Sequence, residues 1–144
     1  MLGMNDGMTK AVEEASRALG LPVVALGRKM PGGTFIKDIG PGEFLSLYRR
    51  ADAVLTSSFH GTAFSLLYGK PFVTFGNGGY NSRMETLLDV VGQTKRFAAD
   101  GMDSDRLLEL LTAAPETPFS EVAAGERDNA ATFLSDALEG GTER

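Results

Sequence analysis

The chain has 144 residues, 42% hydrophobic and 23% charged, with 14 Lys and Arg against 19 Asp and Glu for a net charge of −5. That length suits one domain, and the composition is that of a globular protein able to bury a core without covalent staples. An acidic chain with no Lys/Arg run disfavours nucleic acid and anionic lipid as main partners, although a local site can still take a small anion. There is no cysteine, and His60 is the only histidine, which excludes thiol chemistry and a multi-histidine metal site. The opening residues lack a basic segment followed by an apolar run, and no stretch approaches the roughly 20 apolar residues that span a bilayer. A cytoplasmic location is the expectation, with no metal and no transmembrane segment.

In chain order, Asp6–Leu19 predicts an amphipathic helix with Val12, Ala15, Ala18 and Leu19 on one face. Gly20 stops it, and residues 21–26, LPVVAL, predict a strand buried on both faces. Residues 27–40 are rich in Gly and Pro and read as a connecting loop. Pro41 suits the first turn of a helix that reaches Arg50, with Glu43 as a first-turn carboxylate. Residues 52–56 predict a strand, with Asp52 at its entrance. A helix then runs from Phe59 or His60 to before Gly69, with Phe64, Leu66 and Leu67 as core. Residues 71–75 predict another strand, followed by the turn GNGG.

Residues 82–91 predict a helix, and Ser82-Arg83-Met84-Glu85 has the form of a capping box. A short strand is expected around Arg96 and Phe97, then a helix over 103–111. Residues 112–144 read as a loop, a closing helix over 120–138 and a polar tail. Short apolar strands alternating with helices imply an α/β domain over 1–144, with a parallel sheet and right-handed crossovers.

In such a sheet, ligands bind at the carboxyl ends of the strands. Two strand-to-helix junctions carry unusual chemistry. The first is Thr56-Ser57-Ser58-Phe59-His60-Gly61-Thr62, which offers hydroxyls, an imidazole and a glycine that lets a ligand approach. It also opens a helix whose free N–H groups and positive dipole end favour an anion. The plainer alternative is that Ser57 or Ser58 caps the helix and His60 packs locally. The second junction is FGNGGYNSR, ending at Arg83. A cation in the first turn of a helix opposes the macrodipole; it is either tolerated at an exposed surface or kept for a phosphate or carboxylate.

The segment PGEFLSLYRRADAVLTSSFHGTAFSLLYGKPFVTF and the later YNSRMETLLDVVG resemble the polysaccharide pyruvyl transferase family, over residues 39–92. The tail RDNAATFLSDAL is similar, more loosely, to that family's closing helix. The opening MLG looks like the end of the strand that starts its C-terminal domain. The resemblance implies an enzyme moving a pyruvyl group from phosphoenolpyruvate to a sugar of a surface or capsular glycan, as a cyclic ketal. It implies a Rossmann-like domain corresponding to the C-terminal half of a B-type glycosyltransferase architecture.

By the same resemblance, His60 matches the family's donor-site histidine. Ser57, Ser58, His60, Gly61, Thr62, Asn81 and Arg83 are the expected donor and anion-binding residues, and His60 is the expected catalytic one. Some branches of the family carry Arg-Leu-His where this chain has Ser58-Phe59-His60, so a neighbouring cation is missing here. His60 is the only side chain naturally suited to proton transfer near neutrality. Phosphoenolpyruvate is then substrate, not cofactor, and a glycan is the acceptor. One half of a two-domain cleft is expected not to catalyse transfer alone, and to self-associate, most simply as a homodimer through the face its partner domain covers. The alternatives are a glycosyltransferase using a nucleotide-sugar donor and a non-catalytic or truncated binding module.

Overall fold

The computed structural model describes residues 6–76, 81–99 and 101–139. Most of the GNGG turn, the opening MLG and the polar tail lie outside the described residues. The first helix, α1 (Asp6–Leu19), forms where expected. Its buried stripe is Ala11, Val12 and Ala15, with Met8 and Leu19 packed beside it. Ala18, expected on that face, is exposed at the rim of the stripe in the last turn.

Strand β1 (Val24–Leu26) pairs in parallel with β2 (Thr34–Ile36), Val24 opposite Thr34 and Leu26 opposite Ile36. Two expectations change here. The segment read as a loop contains β2, whose three residues, Thr-Phe-Ile, are too few to show a period among Gly and Lys. Nor is β1 buried on both faces: Ala25 is buried, but Val24 is 49% exposed. The reason is that β1 and β2 form a small sheet of their own among the described strands.

Helix α2 (Pro41–Arg50) opens with proline at its first position, and the Gly40 N–H donates to Glu43 Oε2 at 3.0 Å. The remaining elements are β3 (Val54–Thr56), α3 (Phe59–Leu67), β4 (Phe72–Phe75), α4 (Ser82–Val90), a single 3-10 turn (Thr94–Arg96), β5 (Phe97–Ala98), α5 (Ser104–Thr112) and α6 (Phe119–Glu139). Strands β3, β4 and β5 form a parallel sheet in that order, with Thr56 opposite Thr74 and Thr74 opposite Phe97.

Strand β4 is central and wholly buried, and its side chains alternate between two cores. Val73 and Phe75 join Ala11 and Ala15 of α1 and Leu107, Leu110 and Leu111 of α5. Phe72, on the other face, joins Leu66 of α3 and Leu88 of α4, with Phe119 and Val122 of α6 against them. Parallel strands flanked by helices on both faces make this a Rossmann-like α/β fold.

Two local readings are corrected. Leu67 was expected in the core but is exposed, because the α3 stripe turns away after Leu66. Gly69, at φ +60°, follows the end of that helix. Ser82 does not cap α4: Asn81 does, its carbonyl accepting from the N–H groups of Met84 and Glu85 at 2.9 Å each. The S-x-x-E pair is therefore one residue out of register for a capping box. Among the described residues no helix is long and apolar enough to cross a membrane.

Candidate functional site

Because β3 and β4 are parallel neighbours, their carboxyl ends lie at one edge of the sheet. That edge carries both junctions. After β3, the chain turns at Ser57 and enters α3 with Ser58 in the N-cap position, in extended backbone and without a side-chain capping bond. The plainer reading of Ser58 as a capping side chain is thus not what forms. The N–H groups of Phe59, His60 and Gly61 are the first three of the helix and have no carbonyl within it to donate to. His60 and Ser58 are exposed, and Ser57 is half-buried.

Gly61 and Thr62 face the other way. Both are buried, and Thr62 Oγ1 donates to the Ser58 carbonyl at 3.1 Å while meeting Thr74 Oγ1 at 2.9 Å. A Cβ on Gly61 would stand 2.1 Å from Thr56 Oγ1 and 2.9 Å from the Tyr48 hydroxyl. The glycine therefore admits α3 onto β3 and Tyr48, rather than a ligand onto the backbone. Burial raises the Tyr48 hydroxyl above its ordinary pKa, and its hydrogen bond with Thr56 opposes that rise.

After β4, Gly76 is buried, and a Cβ there would stand 3.0 Å from Asn81 Nδ2. The Asn81 amide thus lies against the carboxyl end of β4. Arg83, one position into the first turn of α4, places its guanidinium over the Phe59 ring at 4.4 Å from the centroid. The Phe59 ring in turn meets the His60 imidazole edge-on, with centroids 6.0 Å apart. Phe59 is the side chain that joins the two junctions, and residue periodicity treats it only as an apolar start to α3. Among the described ion pairs, Lys95–Glu116 and Arg106–Glu109, Arg83 takes no part.

An open groove of about 420 Å³ runs between α3 and α4, lined by Phe59, Ser82, Arg83, Thr86, Leu87 and Val90. Ser57, Ser58, His60, Asn81 and Arg83 thus share one edge of the sheet, whereas the side chain of Thr62 is turned into it. Among the described residues there is no group of three His, Asp or Glu able to hold a metal ion.

Fold and edge together define an α/β domain with hydroxyl, imidazole, amide and guanidinium groups gathered at the carboxyl end of a parallel sheet. Residues 18–79 match the polysaccharide pyruvyl transferase family, the family that the residues around Ser58-Phe59-His60 resemble. The match runs from the last turn of α1 through β4, somewhat under half the chain, and includes the whole β3–α3 junction. It ends before Asn81 and Arg83. No curated protein and no solved structure matches the chain. Residues 18–79 are thus similar to a family described as polysaccharide pyruvyl transferase.

Proposed function

We propose that this domain holds the donor of a pyruvyl transfer, phosphoenolpyruvate, at the β3–α3 junction, for delivery to a sugar hydroxyl of a glycan. The observation that carries the reading is the meeting of Arg83 with Phe59 beside His60, where the matched β3–α3 junction faces the start of α4. Phosphoenolpyruvate carries a phosphate and a carboxylate, so its site needs N–H donors and a cation. The open N–H groups at the start of α3 supply the first. Arg83 supplies the second from α4, in a chain that has serine at position 58.

In this reading His60 binds the donor anion first. It then exchanges a proton with the donor methylene or the leaving phosphate, the role an imidazole performs near neutral pH. Asn81 and the hydroxyls of Ser57 and Ser58 orient the carboxylate and phosphate. Self-association as a homodimer, through the face that a partner domain would cover, belongs to the proposal, as does action in the cytoplasm where phosphoenolpyruvate is made.

Thermal melts test it. Phosphoenolpyruvate at about 100 times its dissociation constant adds roughly 2.7 kcal/mol, several degrees for a domain of this size. Inorganic phosphate, lactate and a nucleotide sugar are the comparison ligands. A shift with phosphoenolpyruvate alone supports the reading; an equal shift with every anion, or one only with the nucleotide sugar, overturns it. His60→Ala should remove most of the shift and leave the unliganded melt unchanged, because the side chain is exposed.

A further inference from the structure

Beneath the β3–α3 junction runs a chain of buried hydroxyls that the proposed transfer does not itself use. Its members come from four elements: Tyr48 on α2, Thr56 at the end of β3, Thr62 on α3 and Thr74 on β4. All four are buried, Thr62 and Thr74 completely. The Ser58 peptide is gripped from both sides. Its N–H donates to Thr56 Oγ1 at 3.1 Å, and its carbonyl accepts from Thr62 Oγ1 at 3.1 Å and from the Thr62 N–H at 3.0 Å. The single Thr62 hydroxyl proton goes to Ser58, so Thr74 Oγ1 donates across the 2.9 Å gap to Thr62. On the other flank the Tyr48 hydroxyl and Thr56 Oγ1 both crowd the Cβ position of Gly61, which places the two side chains together.

Valine has the shape of threonine and suits a buried strand, so hydroxyls at 56 and 74 need polar partners to be tolerated there. Those partners lead to a single peptide, Ser58, at the point where the chain enters the candidate site. Room is equally tight. A Cβ at position 61 would come within 2.1 Å of Thr56 Oγ1, so the first turn of α3 rests directly on the hydroxyl pair. A turn held this way cannot rotate without breaking several buried hydrogen bonds together.

We infer that Thr56, backed by Tyr48, is a positioning residue of the donor site: it fixes the Ser58 peptide so that the Phe59–Gly61 N–H groups and the His60 imidazole meet the donor in one orientation. This rests on the donor reading above. Neither Thr56 nor Tyr48 touches the donor; they act by keeping the turn from reorganising when the anion arrives.

Isothermal titration of phosphoenolpyruvate into the full chain tests it, with Thr56→Val, Thr56→Ser and Tyr48→Phe compared with the parent protein. The expected loss of affinity is about tenfold for Thr56→Val, the worth of one ordinary hydrogen bond, and smaller for Tyr48→Phe. Thr56→Ser, which keeps the hydroxyl and drops the methyl, should restore affinity to near that of the parent. Parent-like affinity in Thr56→Val overturns the positioning role and leaves the donor reading standing. Affinity in Thr56→Ser as weak as in Thr56→Val also overturns it, since the methyl rather than the hydroxyl would then matter. If Thr56→Val does not fold, Tyr48→Phe decides: unchanged affinity there overturns the role. A parent protein that takes up no phosphoenolpyruvate removes the donor reading, and the positioning role with it.

Discussion

Two arginines stand at opposite ends of the same parallel sheet, and they are held in opposite ways. Arg96 is 1% exposed, and its four hydrogen bonds between them engage each side-chain nitrogen. It donates to Gln93 Oε1 at 2.9 Å, to the Phe72 carbonyl at 3.1 Å, to the Leu110 carbonyl at 2.8 Å and to the Ala113 carbonyl at 2.9 Å. The three carbonyls belong to the start of β4 and the end of α5, so Arg96 ties the amino-terminal edge of the sheet to a helix that has run out of internal donors. Burial lowers its pKa, while Glu116 nearby opposes that. Arg83, at the carboxyl-terminal edge, is exposed and rests on the Phe59 ring. One end of the sheet spends its cation on the fold; the other leaves its cation available. Open α/β sheets bind their ligands at the carboxyl edge, the end where Arg83 stands.

Arg96→Met gives the largest effect and breaks the comparison most directly. Methionine fills much of the volume but leaves three backbone carbonyls and the Gln93 amide oxygen without their donor. Leaving several buried acceptors unpaired should cost about 3–5 kcal/mol, a large part of the stability of a domain this size. Urea unfolding measures it. A loss below about 1 kcal/mol would show that water replaces the guanidinium at that edge. Where the variant stays folded in the cold, its affinity for phosphoenolpyruvate should equal that of the parent, because the site lies at the other end.

Arg83→Ala should do the reverse. Removing a guanidinium from an exposed aromatic face loses about 0.5–1 kcal/mol. Removing a cation from the first turn of α4 regains about 0.3–1 kcal/mol. The two nearly cancel, so the unliganded melt should stay where it is, while phosphoenolpyruvate binds more weakly. A clear fall in stability with donor affinity intact would make Arg83 structural and erase the contrast with Arg96.

This contrast was only half legible in the sequence. Helix and strand order came through because apolar periodicity is strong in α1, α5 and the run PFVTF. The β3–α3 junction was legible as a place where hydroxyls, histidine and glycine cluster as a strand gives way to a helix. Arg83 was visible as a cation against a helix dipole. Arg96 was not: its four acceptors are carbonyls and an amide, three of them at residues 72, 110 and 113, and backbone acceptors leave no mark in a sequence. The same holds for Gly61 and Thr62. Their residue types suit a ligand cradle, but only packing reveals that Tyr48 and Thr56 fill the space beneath Gly61, and Thr74 takes the hydroxyl of Thr62. Strand β2 escaped because three residues are too short to carry a period.

The smallest effect concerns the ion pair beside Arg96. Lys95 Nζ hydrogen-bonds Glu116, and that bond, aided by the Lys95 charge, holds the Glu116 carboxyl below its ordinary pKa. Arg96 adds to the same field from beneath. A depressed carboxylate contributes stability that is present above its ordinary pKa and is lost as pH falls through the folded value. The Glu116 side chain is exposed, so solvent and salt screen most of this. Glu116→Gln should therefore lower the melting temperature at pH 7 by no more than about 1–2 °C, and the parent and variant should converge in acid or in 1 M salt. That outcome would assign the strength of this edge to the carbonyl bonds of Arg96 rather than to charge pairing at the surface. A loss comparable to that of Arg96→Met, persisting in high salt, would mean instead that Glu116 is needed to keep the buried guanidinium in place, and that both ends of the sheet rely on an exposed charge.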